Sequence, residues 1–179
     1  MTNAEFAILS LIAEKARHGY EIEALIERRG MREWTEIGFS SIYYLLKKLE
    51  KKKWIIGKRV RQAGPGRARV VYQVTAAGRK ALRAGTLEAL SLTQRTPSPF
   101  QLGLANLPAI TKGDALAALQ QQRDGLREHH RQIQAQRESQ RPLPFFVEAM
   151  FDLALTKITA ERNWLDGFID QLEYAHDET

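Results

Sequence analysis

The sequence predicts a mainly α-helical chain of 179 residues with one small β-hairpin in its first half. Apolar residues recur at helical spacing through the first fifty residues, and again in two long segments after residue 112. After Trp54 the spacing changes to every second residue, as in a strand that is half buried. These two periods together predict helices on either side of a hairpin.

Three helices precede the hairpin in this prediction. Residues 4–14 place apolar side chains on one helical face, and a break at 18–19 separates them from a second helix that ends near Gly30. A third helix follows, with Ser40 or Ser41 as its N-cap. Each helix has an apolar face, so the three can share one core.

The third helix has two faces of different chemistry. At roughly 100° per residue, its apolar residues fall within about a third of the circle; they are Ile42, Leu45, Leu46 and Leu49. The other side presents Ser40, Tyr44, Lys47 and Lys51, flanked by Tyr43 and Lys48. Tyrosines exposed among lysines favour a surface that contacts a ligand, and the alternative is a ring that folds over the aliphatic stems of its neighbours.

The predicted hairpin is basic. Its strands alternate on both sides of a turn at 62–66, and arginines lie on its tip and flanks at Arg59, Arg61, Arg67 and Arg69. Thr75 follows as the N-cap of a further helix. Three helices, a basic hairpin and a further helix describe a winged helix-turn-helix, in which the third helix enters the major groove of DNA and the hairpin reaches the adjacent backbone or minor groove.

The charge of the chain is concentrated where this fold would meet DNA. The net charge is +6, but residues 1–92 hold 18 Lys and Arg against 9 Asp and Glu, whereas residues 93–179 hold 9 against 12. Ten basic residues and a single acidic one, Glu50, lie within 47–69. Phosphate neutralisation dominates nucleic-acid affinity, so this field indicates a polyanionic partner, and the alternative is a solvated lysine-rich helix.

Four motifs in the first half resemble the PadR family of winged-helix regulators. They are Ala7-Ile8-Leu9-x-Leu11, His18-Gly19-Tyr20-Glu21-Ile22, Ser41-Ile42-Tyr43-Tyr44-Leu45-Leu46-x-x-Leu49-Glu50 and Tyr72-x-Val74-Thr75-x-x-Gly78-Arg79-x-x-Leu82. The resemblance covers residues 4–90. It implies a homodimer on a roughly palindromic promoter site, usually a repressor, with Tyr20, Ser41, Tyr43, Tyr44 and the hairpin arginines near DNA.

The chain departs from the family where Lys53 stands in place of a glycine that closes the recognition helix. A residue with a side chain is strained in a left-handed conformation, so we expect Lys53 to extend the helix slightly instead.

The second half predicts a helical dimerisation domain. A linker with Pro97 and Pro99 precedes a glutamine-rich helix from Lys112 to about Ser139, and a more apolar helix follows from Phe145 to about Tyr174. The first of these helices has too sparse an apolar stripe to cover the second, so we expect a partner subunit to do so. The predicted interface residues are Val147, Phe151, Leu155, Ile158, Leu165, Ile169 and Leu172. The layout resembles the virulence-activator-type C-terminal region of many PadR-like proteins.

Aromatic residues in this half allow a second interpretation. Phe145, Phe146, Phe151, Trp164 and Phe168 are most simply core and interface. The alternative is a pocket for a small aromatic effector, because some PadR-like regulators sense phenolic or planar aromatic compounds at the dimer region.

The sequence shows no pattern of catalytic or cofactor-binding residues. Cysteine is absent, the four histidines have no metal-ligand spacing, and the glycines of 64–66 belong to the hairpin tip. We therefore expect no enzyme, no cofactor and no metal site. No apolar run is long enough to span a membrane, and the lack of cysteine fits a cytoplasmic protein.

The sequence thus predicts a DNA-binding domain at 1–92 and a helical dimerisation domain, with effector sensing as an added role, at 93–179. The predicted function is that of a homodimeric, sequence-specific transcriptional regulator, with double-stranded DNA and a second copy of the chain as partners. The predicted DNA-binding residues are Tyr20, Ser40, Ser41, Tyr43, Tyr44, Lys47, Lys48, Lys51, Arg59, Arg61, Arg67 and Arg69. The alternatives are a winged-helix module that docks proteins and an architectural DNA binder without sequence preference.

Overall fold

The computed structural model describes residues 1–35, 37–38, 41–60, 69–93 and 98–174. The chain divides into two compact units, Met1–Gln94 and Arg95–Thr179, and each is described by itself. The mainly helical fold with a small hairpin is confirmed. No helix in the described ranges is both long and apolar enough to cross a membrane.

The first unit contains five helices and a small sheet among its described residues. The helices are α1 (Asn3–Glu14), α2 (Gly19–Arg28), α3 (Arg32–Thr35), α4 (Ile42–Lys51) and α5 (Ala76–Ser91). The strands are β1 (Arg17–His18), β2 (Ile55–Val60) and β3 (Arg69–Val74), and they form an antiparallel sheet in the order β1-β3-β2. The predicted hairpin is β2 and β3, whose tip at 61–68 lies outside the described residues. Neither β1 nor α3 was predicted, because two and four residues are too short to show a period.

The core of the first unit lies among α1, α2 and α4. All four apolar residues predicted for the third helix, Ile42, Leu45, Leu46 and Leu49, are buried there. They pack with Ile8, Leu9, Ile12, Ile22 and Ile26, among others. Burial of these side chains, each contributing about 1.5–3 kcal/mol, fixes which face of α4 remains exposed.

The expectation that Lys53 extends the helix is wrong. Helix α4 ends at Lys51, and Lys53 takes the left-handed conformation with φ of 56°. The Lys53 amide donates to Glu50 O at 2.8 Å and the Trp54 amide donates to Leu49 O at 3.0 Å, which is a Schellman motif. Thr75 holds this turn in place, because its hydroxyl donates to Lys53 O and its amide donates to Trp54 O.

Close approach of α5 to this turn explains a glycine of the fourth motif. The α5 helix begins at the Thr75 N-cap, whose hydroxyl oxygen accepts from the Gly78 amide at 3.0 Å. A Cβ at Gly78 would lie 2.0 Å from Trp54 O, so no larger residue fits. Thr75 and Gly78 together link the end of α4, the hairpin and α5.

The second unit consists of two long helices and a short helical segment before them. Helix α6 (Pro99–Ala105) and a 3-10 turn (Leu107–Ala109) precede α7 (Lys112–Ser139) and α8 (Phe145–Tyr174), which begin and end close to the predicted limits. Ion pairs from Arg137 to Glu148 and from Arg123 to Asp166 show that α7 and α8 run antiparallel.

The seam between α7 and α8 uses residues that the sequence analysis placed at a dimer interface. Three of them, Ile158, Leu165 and Ile169, are buried inside the chain against Leu119, Leu126 and Ile133 of α7. The sparse stripe of α7 is spaced by seven residues, and it therefore suffices to cover one face of α8. Val147, Phe151, Leu155 and Leu172 are half-buried at the edges of the same seam. Pairing of these residues with a second copy stays a prediction.

Candidate nucleic-acid interface

The face of α4 opposite the core is exposed. Tyr43 and Tyr44 are 57% and 65% exposed, and Lys47 and Lys51 are exposed beside them. Because Leu45 and Leu49 hold the other side in the core, these four side chains point to solvent from one side of a single helix. The face combines phenol groups that can donate and accept hydrogen bonds with ammonium groups that can neutralise phosphates.

Glycine at the start of α2 allows Tyr43 to lie across it. A Cβ at Gly19 would be 2.8 Å from Tyr43 Cε1 and 3.3 Å from its Cζ. The Gly19 of the second motif therefore brings the beginning of α2 against α4. Glu21 stabilises this beginning, since its Oε2 accepts from the His18 amide at 2.7 Å.

Of the two serines predicted at the start of α4, Ser41 lies within the described residues. Ser41 precedes the helix, and its hydroxyl donates to Gly38 O at 2.7 Å rather than accepting from the first turn of α4. Its role in DNA binding stays a prediction. Ser40 lies outside the described residues.

One flank of α4 is held by a buried carboxylate that the sequence analysis missed. Glu5 of α1 is only 1% exposed, and its Oε1 lies 3.0 Å from Lys48 Nζ and 2.8 Å from Lys52 Nζ. Its Oε2 accepts from the Thr2 amide at 3.1 Å. Lys48, predicted to bind DNA, is thus engaged within the protein.

The surroundings of Glu5 keep it ionised. Burial by itself raises the pKa of this carboxyl, but hydrogen bonds from Lys52, the Thr2 backbone and Lys48 outweigh burial and lower the pKa from 4.5 to about 2. Glu5 therefore carries a full negative charge at neutral pH, directly beside two cations of α4.

The other flank of α4 is held to the hairpin. Glu50 Oε1 accepts from the Gly57 amide of β2 at 3.0 Å. A Cβ at Gly57 would lie 2.8 Å from Val70 Cγ1 and 2.9 Å from Glu50 Oε1, so glycine is needed for β2 to pass this close. Glu50, the single acidic residue of the basic stretch, thus sets where the hairpin begins relative to α4.

Two aromatic side chains, His18 and Tyr20, hold Arg69 of β3 in position. Arg69 donates to Tyr20 Oη at 3.0 Å, and its guanidinium lies 5.1 Å from the centre of the Tyr20 ring. The Tyr20 ring stacks on His18 at 5.7 Å with an angle of 7° between the planes. His18 Nδ1 in turn lies 3.1 Å from Val70 O. The structure therefore brings Tyr20 and Arg69 together and gives His18 a structural role.

The remaining hairpin arginines are only partly described. Arg59 is exposed on β2, opposite Val70 in the ladder of the sheet. Arg61 and Arg67 lie outside the described residues. Of the predicted DNA-binding residues, Tyr43, Tyr44, Lys47 and Lys51 share one exposed face of α4, and Lys48 lies on its flank with Glu5. Tyr20, Arg59 and Arg69 belong to the strands and the start of α2.

The aromatic residues of α8 do not form one group. Trp164 stacks on Phe168 at 5.1 Å and meets Phe100 of α6 edge to face at 6.0 Å. Phe145 and Phe146 contact each other at the other end of α8, roughly 27 Å away along an ideal helix axis. The two clusters are therefore separate within the chain. Within the described ranges, no His, Asp and Glu side chains group in a way that could hold a metal ion.

The fold and the exposed basic helix define a winged-helix protein, and comparisons with known proteins show which family this unit is similar to. Residues 8–84 match the model of the transcriptional regulator PadR-like family. The chain therefore contains a PadR-like segment. No curated protein matches it in sequence.

Solved structures share the fold along nearly the whole chain. Bacillus subtilis PadR in complex with operator DNA is 21% identical, with a TM-score of 0.75 over 94% of this chain and 98% of that one. Bacillus subtilis PadR in complex with p-coumaric acid is 19% identical, with a TM-score of 0.77 over 96% and 99%. A PadR-like transcriptional regulator from Bacillus cereus is 17% identical, with a TM-score of 0.68 over 94% of each chain.

Proposed function

We propose that the protein is a homodimeric transcriptional repressor that binds a pseudo-palindromic promoter site through α4 and the hairpin. The exposed face of α4 carries this proposal, because its phenol and ammonium groups project from a helix whose other side is locked in the core. A helix of this kind fits the major groove. A solved structure of similar fold, that of Bacillus subtilis PadR, was obtained in complex with operator DNA.

In this proposal the predicted residues have two roles. Tyr43 and Tyr44 contact base edges or sugars, while Lys47 and Lys51 contact phosphates beside the groove. Arg59 and Arg69 reach the backbone next to it, and Arg69 does so from a fixed position because Tyr20 holds its guanidinium. Contacts of the first kind give sequence preference, and contacts of the second kind give affinity that depends on salt.

A second copy of the chain is the proposed occupant of the uncovered face of α8. Phe146, Met150, Leu153 and Trp164 are exposed there and fall within about 60° of one another on an ideal helix. Four large apolar side chains on one face of a long helix, with Lys157 among them, favour association with a partner. Two-fold pairing of the chain would present two α4 helices to two half-sites of inverted sequence.

Repression and its release would follow from this arrangement. A dimer bound within a promoter blocks access to it, and a cytoplasmic location follows from a bacterial-type DNA target. We propose a small aromatic compound as effector, with Phe100, Trp164 and Phe168 as its contact residues. A solved structure of similar fold, that of Bacillus subtilis PadR, was obtained in complex with p-coumaric acid.

Enrichment of genomic fragments tests the proposal. Purified protein is mixed with sheared DNA of its source at near-physiological salt, and the retained fragments are sequenced. We expect a few promoter fragments that share an inverted repeat with half-sites about one helical turn apart. Tyr44→Ala and Lys47→Ala should lose this enrichment while the fold and the dimer persist.

Other outcomes of the enrichment would select the alternatives. Uniform, salt-sensitive retention of all fragments would indicate an architectural binder, and absence of retention would indicate a protein-docking module. Normal enrichment by Tyr44→Ala and Lys47→Ala would contradict the assignment of α4 as the recognition helix.

A further inference from the structure

We propose that Glu5 is a positioning residue that limits sequence-independent DNA affinity by withholding Lys48 and Lys52 from DNA phosphates. The inference rests on the proposed function and deepens it, because it divides the basic residues of α4 into those that face DNA and those that are neutralised within the protein. The sequence alone gives Lys47, Lys48 and Lys51 the same role.

The geometry separates two groups of cations on one helix. Lys47 and Lys51 lie on the exposed face with the tyrosines, whereas Lys48 and Lys52 lie about 100° further round, on the flank next to α1. Both flanking ammonium groups reach the same atom, Glu5 Oε1, at 3.0 Å and 2.8 Å. The Lys52 ammonium also lies 4.6 Å from the centre of the Trp54 ring, which further restricts its position.

Glu5 is built into the protein rather than placed on its surface. It is 1% exposed, and its second oxygen is bound by the Thr2 amide in the capping box of α1. The Glu5 amide in turn donates to Thr2 Oγ1 at 3.2 Å. A carboxylate held on both sides in this way cannot follow its lysines toward solvent, so the lysines are held toward α1.

The consequence for DNA binding concerns affinity that is independent of sequence. Each lysine that contacts a phosphate adds about 0.9 to the steepness with which affinity for any sequence falls with salt. Two more free lysines beside the groove would strengthen binding to every sequence, operator or not. Neutralising them leaves the tyrosine face as a larger part of the total interaction.

Glu5→Gln is the first test, since the amide has the same shape but no charge. We expect affinity for a non-operator duplex to rise by roughly 10-fold, with a salt dependence steeper by about one to two units. Affinity for the operator should rise by a similar factor, because phosphate contacts do not depend on sequence. Glu14→Gln is the matched control, because Glu14 also lies in α1 and pairs with two cations, Arg17 and Arg29, away from α4. It should change neither quantity.

The salt dependence of DNA affinity in Lys48→Gln distinguishes the proposed role of Glu5 from a merely structural one. In the wild-type protein it should leave the salt dependence unchanged, whereas Lys47→Gln should lower it by about one unit. In the Glu5→Gln background, Lys48→Gln should also lower it by about one unit. An equal reduction by Lys47→Gln and Lys48→Gln in wild type would overturn the inference, even if Glu5→Gln fails to fold. A wild-type protein that binds no DNA would instead refute the proposed function.

Discussion

The two units of the chain differ in how much of their apolar surface they cover by themselves. The first unit buries a continuous core from α1, α2, α4 and β2, and it leaves the tyrosines of α4 and three leucines near the end of α5 exposed, Leu87, Leu90 and Leu92. The second unit buries a single seam between α7 and α8 and leaves Phe146, Met150, Leu153 and Trp164 exposed. The first unit thus draws its core from several elements, whereas the second depends on one pair of helices, and in the proposed dimer a second copy covers the face of α8 that α7 leaves open.

The largest expected effect comes from replacing a buried core leucine of each unit with alanine. Leu46 and Leu165 are both 0% exposed, and replacing either with alanine should cost about 2–5 kcal/mol of the free energy of unfolding of its unit. The Leu46→Ala cost should be independent of protein concentration, because its neighbours belong to the same chain. The stability of the second unit should rise with concentration in both wild type and Leu165→Ala. Hydrogen exchange, which resolves the units separately, measures this.

A variant of the exposed α8 face should separate folding from DNA binding. Phe146→Ser with Trp164→Ser removes two aromatic rings that lie about five turns apart on the same face. We expect operator affinity to fall by roughly 100-fold, or about 2.7 kcal/mol, because monomers lose the joint binding of two half-sites. Phe145→Ser is the control, since Phe145 is 85% exposed but points about 100° away. Equal losses from both variants would contradict this choice of face.

Acid should weaken the first unit through Glu5. The folded-state pKa of about 2 lies below the ordinary value of 4.5, so the stabilisation is complete above about pH 5 and is lost as the pH falls toward 2. Wild type should exceed Glu5→Gln by on the order of 2 kcal/mol at pH 7 and match it near pH 2. Urea unfolding at several pH values measures the difference. A gap between the two proteins that does not change with pH would show that Glu5 acts by shape alone.

The smallest expected effect concerns the C-terminal ends of α2 and α4 in the first unit. Gly30 and Lys53 occupy the same position of the same C-terminal motif, with φ of 59° and 56°. Lys53→Gly should therefore stabilise the protein by about 1 kcal/mol, because glycine adopts this conformation without strain. Gly30→Ala should destabilise it by a similar amount. Thermal unfolding of both variants tests the pair, and a destabilised Lys53→Gly would show that the lysine side chain itself stabilises the turn.

Much of the fold could be predicted from the sequence because periodicity reports which face of a helix is buried. The apolar positions of α4 and the limits of α7 and α8 followed from spacing alone. Lys53 could not be predicted, because Thr75, distant in sequence, holds the turn at that residue. The burial of Ile158, Leu165 and Ile169 against α7 could not be predicted for a similar reason, since spacing shows which residues of α8 are apolar without showing which of them α7 covers.

The exposed face of α4 was predicted from the sequence, but the ion pairs beside it were not. The residue types and their spacing identified Tyr43, Tyr44, Lys47 and Lys51. The role of Glu5 could not be found in this way, because 43 residues separate it from Lys48 in the sequence and only the packing of α1 on α4 joins them. A capping-box pattern at Thr2 and Glu5 was the local signal available.

Sedimentation equilibrium of the wild type and of the variant with both Phe146→Ser and Trp164→Ser tests the central claim most directly. The wild type should have twice the mass of one chain at micromolar concentration, and the variant should have the mass of a single chain. The variant should also retain the helical content of α1 to α5. A monomeric wild type, or a variant that remains a dimer, would contradict the claim that a second copy covers this face of α8.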